Sequence, residues 1–473
     1  MPFPSALSIN AWTGTSTAVG PAAPQARAWG LQKPPISATV LLAAEDIDPR
    51  DWRHPEVGWG LVLPEADDRW SPAERAVAAD APEPIQRLRA FRANAPVFRY
   101  RPDLGTTELR RYFPDGPPRD VAVNGSKPGT AAAALPLYLL LAGGPDALPW
   151  RLQYALNTAP RHVGRLDLDE AGLDHYVRAV ETDWADADSR LRRAVVWATD
   201  HGPDDITHLM RRVIAEPVFE KLRADSDVGA GARLSAGQEA LASSLAEALA
   251  ESRPGLVVTT SHGMTGPLDD RDAMAAQMGM LVDTHGALAR PGHLLAGWEP
   301  DGAIWYAHAC CSAGSDAATS FDGLFEPDSA IARTLGAVAG CGALTAPLPR
   351  ALLGAERPLR AFIGHVEPTF DWTLRSPRTK QVLSDSILRS LYHGLYKPTP
   401  DPVGLAFRGA YAPVGGLLVN WGHARDEFEA AETFEERELA RQKALYTRLA
   451  GLDRQSLVIL GDPAVGPPSV TDT

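Results

Sequence analysis

Two adjacent cysteines, Cys310 and Cys311, close an apolar run in the stretch "GAIWYAHACCSAGS", Gly302 to Ser315. The chain has three cysteines, the third being Cys341. A thiol attacks as thiolate, so acyl-transfer chemistry needs a base within hydrogen-bond reach and donors aimed at the developing oxyanion. A histidine that suits this role lies upstream, His262 in "VVTTSHGMTG". It too ends an apolar run. Gly263 follows it, and a residue without a Cβ lets a substrate carbonyl come close to the backbone N–H. The pattern is that of a Cys310 nucleophile served by His262, the two brought together by neighbouring strand ends.

Other readings compete at each position. His-Gly recurs at His201, His285 and His393. His285, in "MLVDTHGALARPGHLL", reads as the tip of a hairpin. His393 reads as a helix C-terminus with a glycine cap. His201, in "AVVWATDHG", ends a strand and is the serious rival; His262 is preferred because its strand directly precedes the cysteine strand. Free cysteine commonly packs as a small buried hydrophobe, and that reading is taken for Cys311 and Cys341. A zinc site from His308, Cys310, Cys311 and His293 would need adjacent cysteines on one tetrahedral ion, without the usual Cys-x-x-Cys spacing. No metal and no organic cofactor is expected.

The elements that must position these residues are legible as short, continuous apolar runs, each followed by polar or Gly-rich residues. They begin near Leu135, Arg193, Gly255, Gly302, Gly342, Arg360 and Gln455. Continuous runs suit parallel strands covered on both faces. Helical patterns lie between them, at "SAGQEALASSLAEALAESRPG", "PDSAIARTLGAVAG" and "TFEERELARQKALYTRLAG". The fold class is therefore α/β, a three-layer α/β/α sandwich with a mostly parallel sheet, in which active residues sit just past the carboxyl ends of strands. Residues 1–130, rich in Pro, Trp, Arg and Asp, read as an N-terminal extension of unassigned role. They hold one apolar run at residues 38–44 and one helix across "SPAERAVAADAPEPIQRLRAFRANA". The turn-rich "VNGSKPGT" marks a boundary near residue 130. The main domain covers 131–466, and 467–473 is a tail. The Gly/Ala/Asp-rich residues 221–237, which contain Arg223 and Arg233, are expected to form an exposed flexible loop, in the first reading a passive surface loop and in a sharper one the place of activating cleavage.

At these residues the chain resembles the caspase-like cysteine peptidases: caspases, legumain, separase, gingipain and the bacterial CHAT-domain proteases. The resemblance covers about residues 131 to 466. "TTSHG" is similar to the family's strand-His-Gly motif and "HACCSAG" to its Ala-Cys motif, which puts the nucleophile at Cys310 and Cys311 in the variable position. The separation of His262 and Cys310 is similar to the roughly 50 residues between His and Cys in caspases. "YLLLAGGPDALPW" and "LVILGDPAVG" look gingipain-like. The resemblance implies a cysteine endopeptidase acting on protein or peptide substrates. Cys310 attacks the scissile carbonyl and His262 protonates the leaving amine. The Gly263 and Cys310 N–H groups form the oxyanion hole. His308 stands where relatives carry a Gln or an acidic residue of the S1 pocket. Asp146, after the first strand of the domain, has two readings: the carboxylate that selects a basic P1 residue, or a cap of its own turn beside Pro145.

Composition narrows the remaining classes. A net charge of −13 excludes a protein held to nucleic acid by a basic face. Three cysteines make no disulfide framework in a chain of 473 residues, which points to a reducing, cytoplasmic setting. The N-terminus has no basic and apolar leader pattern and the chain no run long enough to span a membrane. A regulatory protein partner is expected. Two rival functions stay open: a catalytically silent caspase-like scaffold or sensor, and a thiol acyltransferase on an unrelated α/β fold.

Overall fold

The structure is a computed structural model that describes residues 6–23, 26–31, 47–396 and 399–467. The apolar run at 38–44 and tail residues 468–473 lie outside the described residues. Strands β1 (Ala6–Trp12) and β2 (Thr17–Pro21) form a hairpin. Then come β3 (Trp59–Pro64), β4 (Val97–Tyr100), β5 (Glu108–Phe113), β6 (Gly116–Ala122), β7 (Tyr138–Ala142), β8 (His162–Leu166), β9 (Arg190–Ala198) and β10 (Ala232–Ala236). They are followed by β11 (Pro254–Thr260), β12 (His262–Met264), β13 (Leu281–Val282), β14 (Ile304–His308), β15 (Gly314–Ser315), β16 (Leu344–Thr345), β17 (Ala361–His365) and β18 (Leu457–Gly461).

Twelve strands make one mixed, mostly parallel sheet in the order β10-β9-β11-β14-β17-β18-β8-β7-β3-β4-β5-β6, with helices on both sides. The apolar runs explain this. All residues of β11, β14 and β17 are buried, as parallel strands with two covered faces must be. Side chains alternate between the faces. Leu139 and Leu141 pack with Leu152 and Leu156 of helix Trp150–Thr158. Tyr138 and Leu140 join Ile85 and Leu88 of helix Glu83–Phe91 in the cluster on the other face. Strands β10, β9, β11, β14 and β17 run one way; β18 pairs antiparallel to β17 and parallel to β8, so β18, β8, β7, β3 and β4 run the other way. The carboxyl ends of the two halves therefore lie at opposite edges of the sheet.

Several expectations are corrected. The boundary near residue 130 falls within one continuous sheet, since β3 pairs with β7 from Trp59↔Tyr138 to Val62↔Leu141. The helix expected across residues 71–95 is two helices, Pro72–Ala76 and Glu83–Phe91: the chain leaves the first at a left-handed Ala78 (φ 58°), and the prolines at 82 and 84 suit the start of the second. Residues 221–237 are not a free loop. Arg223 ends helix Glu216–Ala224, and β10, carrying Arg233, is the edge strand paired in parallel with β9. The run at Gly342 gives only β16, which pairs with β15 outside the main sheet. The helix expected from Ser235 starts at Ala242. His285 does lie in a turn, closed by Gly286 N–H to the Asp283 carbonyl at 3.0 Å, and His393 lies in the helical turn Ser390–Gly394.

Candidate functional site

β11 and β14 are adjacent and level: Leu256 pairs with Ile304 and Thr260 with His308. His262 and Cys310 each follow two residues later, so both main chains turn out of the sheet at one place. They turn into contact. A Cβ built on Gly263 would lie 1.8 Å from the Cys310 carbonyl oxygen and 3.0 Å from its nitrogen. Any side chain at 263 would push β12 off the cysteine turn, which is the physical reason for glycine here.

The cysteine turn is tied from inside. The Ser312 hydroxyl donates to the Ala309 carbonyl at 2.8 Å and accepts from the His365 N–H at 3.0 Å. Cys311 holds a left-handed φ of 54°, and its carbonyl accepts from Gly314 N–H at 3.0 Å. Cys310 and Cys311 are both fully buried, with their sulfurs 4.0 Å apart. Burial, then the neighbouring Cys311 sulfur, push the Cys310 thiol well above the usual thiol range; the Thr369 backbone N–H pulls the other way. In this closed state Cys310 is a thiol, not a thiolate.

His262 is fully buried and oriented by Asp205, whose two oxygens stand 3.0 and 3.1 Å from Nε2. Asp205 is the N-cap of helix Ile206–Met210, where its Oδ1 also accepts from Thr207 N–H at 2.8 Å and from the Thr207 hydroxyl at 2.6 Å. Burial raises its pKa, but these donors, His262 foremost, outweigh burial and hold it at about 2. An ionised carboxylate at Nε2 puts the ring proton there and leaves Nδ1 for proton exchange. His262 Nδ1 finds no hydrogen-bond partner among the described residues.

His201 joins this pair. Its ring centroid is 5.1 Å from that of His262, and the Trp12 indole lies 5.1 Å from His201 and 5.7 Å from His262. Burial first, and then His262, lower the His201 pKa, so it is neutral. His201 Nε2 lies 3.1 Å from the Asp283 carbonyl, to which it must donate, and its Nδ1 is left free of a proton. Ligand atoms of His201, Asp205 and His262 lie within 4.8 Å of one another. Among the described residues these three are the group that could hold a metal ion. A cavity of about 500 Å³ opens beside them, lined by Ser8, Asp204, Asp205, Arg212, Asp371 and Lys380 among others.

The two residues expected to line a P1 pocket are not brought to this place. His308 points into the interior behind β14. Its Nδ1 is 2.9 Å from the Tyr306 hydroxyl and 3.3 Å from His365 Nε2, and burial lowers its pKa to about 3. Asp146 is exposed and follows β7, whose carboxyl end lies at the opposite edge of the sheet from His262 and Cys310. Sequence order placed it correctly after a strand; the reversal at β17 and β18 moved that strand's end away.

Asp205 was missed. The signal was present in "TDHGPDDITHL", an Asp preceding a helix at the end of a strand adjacent to the histidine strand. Trp12 carried no signal, because it belongs to the N-terminal hairpin. His201 was weighed as a rival to His262, whereas β9 and β11 are neighbours and present both histidines together. No helix of the described residues is long and apolar enough to cross a membrane. No family model, curated protein or solved structure matches the chain.

Proposed function

We propose that this protein is a cysteine endopeptidase of the caspase-like type, with Cys310 as nucleophile and His262 as the acid–base group. The observation that carries the reading is the meeting of the Gly263 and Cys310 main chains at the carboxyl ends of two adjacent parallel strands, with His262 held by Asp205. Cys310 Sγ forms the bond to the scissile carbonyl carbon, the carbonyl π pair moves to oxygen, and the thiol proton passes to His262 Nδ1. The C–N bond then breaks as His262 gives a proton from Nδ1 to the leaving nitrogen. Water hydrolyses the acyl-enzyme by the reverse proton path. Asp205 does not touch the reacting atoms in this scheme; it fixes the tautomer that leaves Nδ1 available. Basic P1 selectivity loses its expected residue, since Asp146 lies at the other edge.

A second reading is supported by the convergence of His201, Asp205 and His262. Two imidazoles and a carboxylate with open positions make the ligand set of a hydrolytic zinc site. The Asp283 carbonyl on His201 and the Thr207 donors on Asp205 have the character of ligand-orienting partners. One experiment separates the two. Purified protein is incubated with a mixed peptide library, with and without a chelator, for wild type and Cys310→Ala. Chelator-resistant turnover that vanishes in Cys310→Ala supports the thiol mechanism. Turnover lost to the chelator and kept in Cys310→Ala transfers the chemistry to the metal site. No cleavage under either condition favours a silent scaffold or an acyltransferase.

A further inference from the structure

The strand that covers the candidate site comes from the chain's own N-terminus. One edge of β1 pairs with β2, from Ala6↔Pro21 to Trp12↔Thr17. Its other edge is shared by two segments distant in sequence. Ile9 bridges antiparallel to Phe370, and Asn10 N–H donates to the Thr369 carbonyl at 3.4 Å. Ala11 and Trp12 then pair in parallel with Gly263 and Met264, and Thr265 N–H donates to the Trp12 carbonyl at 2.9 Å. β1 thus runs from the Thr369 segment to β12, past the two main chains that meet at Cys310 and Gly263. Thr369 N–H acts on Cys310 and also donates to Asn10 Oδ1 at 3.3 Å.

The side chains of β1 divide as a strand requires. Leu7, Ile9 and Ala11 are buried in the apolar cluster that contains Cys310, Cys311, Met274, Phe325 and Phe370. On the other face Asn10 Nδ2 donates to Met210 Sδ at 3.8 Å, Trp12 covers His201 and His262, and Ser8 lines the 500 Å³ cavity. Without β1, the Thr369 carbonyl and the β12 edge would be unpaired backbone beside a thiol and an imidazole. Such an edge is a template for strand addition. On this edge the strand ladder is short, two paired residues on β12 and one bridge at Phe370, and the buried side chains of Leu7, Ile9 and Ala11 anchor it. A two-stranded hairpin is only marginally stable by itself.

We propose that the groove bounded by Thr369–Phe370 and β12 is a binding site for an extended peptide, and that β1 is its resident occupant. The ligand class is a peptide in strand conformation with aliphatic side chains at alternate positions and a small one facing Gly263, the pattern of Leu7, Ile9 and Ala11. Release of β1 from the groove uncovers Cys310 and His262, and a bound peptide covers them in its place, its main chain laid beside both. The consequence for cleavage rests on the peptidase reading; the binding itself does not.

The test uses full-length protein. Ile9→Asp and Trp12→Ala are made to loosen β1. The rate of Cys310 alkylation by iodoacetamide is followed by peptide mass mapping, and a fluorescent synthetic peptide of residues 6–17 is titrated against wild type and variants. Alkylation of Cys310 is expected to rise by roughly tenfold or more as the covering strand opens. The peptide should bind the variants more tightly than wild type and restore protection. Variants whose 262–265 amides exchange freely while Cys310 stays as slow as in wild type, or that ignore the peptide, overturn the proposal. If the variants do not unfold cooperatively, hydrogen exchange on wild type decides. Residues 6–12 and 262–265 exchanging together, ahead of β11 and β14, support it; exchange only with those strands overturns it. Peptide binding and alkylation without any peptide cleavage would leave the groove standing and remove the peptidase reading alone.

Discussion

Each half of the main sheet has a point where the strand order reverses, between β9 and β11 in one half and between β3 and β7 in the other. Both are crevices of the kind where α/β proteins place ligands. At the first stand His201, Asp205 and His262, with Cys310 one strand away. At the second, arginines fill the space. Arg165 donates to the Gly143 carbonyl at 3.0 Å and the Leu148 carbonyl at 2.7 Å, and its guanidinium lies 4.4 Å from the Trp150 ring. Arg99 donates to the Pro64 carbonyl at 3.1 Å and pairs with Asp80 at 2.6 Å. The same topology thus carries imidazoles and a carboxylate in one half and, in the other, cations held by carbonyl and carboxylate oxygens. Topology locates a crevice; side chains decide whether anything happens in it.

The largest expected effect breaks the first half alone. His262→Ala should lower turnover by about 10²–10⁴-fold, and Cys310→Ala should abolish it. Cys311→Ala should keep most activity, because Cys311 serves the turn. Asp146→Asn, at the other edge, should leave kcat and P1 preference unchanged. A dead Cys311→Ala beside a live Cys310→Ala would shift the nucleophile by one residue, and a P1 preference altered by Asp146→Asn would reconnect the two edges.

In the other half the expected loss is of stability. Arg92 pairs with Asp462 at 2.6 Å, both buried, and Asp462 also accepts from Trp59 Nε1 at 2.9 Å. Removing one partner strands a buried charge, at a cost of about 3–5 kcal/mol. Arg92→Ala should therefore lower the denaturation midpoint markedly, while turnover per folded molecule holds. Equal losses of specific activity in both halves would make the comparison meaningless.

Asp205→Asn sharpens the first half. It keeps the shape and removes the charge that fixes His262, so kcat should fall by roughly ten- to a hundredfold, less than with the imidazole removed, and KM should change little. Asp205 is held at about 2, below its ordinary 3.8. Its stabilising contribution is present above that ordinary value and lost as pH falls through about 2. The acid limb of an unfolding curve should be shallower in Asp205→Asn. A kcat unchanged by the substitution would make Asp205 a helix cap only.

What could be read from the sequence follows from how locally each element is specified. β11, β14, β17, β18 and the second half of β9, residues 194–198, are largely apolar runs, and continuity marks strands covered on both faces. β1 reads "ALSINAW", too polar for a core strand, and its partners Gly263 and Phe370 lie far along the chain, so nothing local announces it. β10 is short, partly exposed and Gly-flanked. His308 follows Tyr306 by two residues and shares its face, where Tyr306 and His365 occupy its ring nitrogen; these partners are distant or unremarkable in the sequence, so family position alone suggested a pocket role. Asp146 failed for another reason: order along the chain does not carry the direction of β18.

The smallest expected effect lies behind β14 and β17, where the first half holds a buried acid with no cation bonded to it among the described residues. Asp453 Oδ2 accepts from Phe370 N–H at 3.1 Å and the Thr373 hydroxyl at 2.6 Å, while Oδ1 has no partner among the described residues. Burial raises this carboxyl to about 7, against those two donors and nearby Arg454. The folded state therefore binds more protons than the unfolded chain between about pH 4 and 7, and the contribution of Asp453 to stability falls as pH rises through that window. His308 and His365, buried neutral in the same pocket, act oppositely at lower pH, because the unfolded chain protonates them first. The observable is thus a difference between proteins. Urea midpoints of wild type and Asp453→Asn are compared at pH 5, 6, 7 and 8. Asn keeps an acceptor for Phe370 and Thr373 without the titration, so the variant should gain on wild type as pH rises. A constant offset across the series would mean that the Asp453 carboxyl keeps one protonation state throughout, and the pH sensitivity of this half would then have to come from Glu367 or Asp371, whose carboxyls burial also raises.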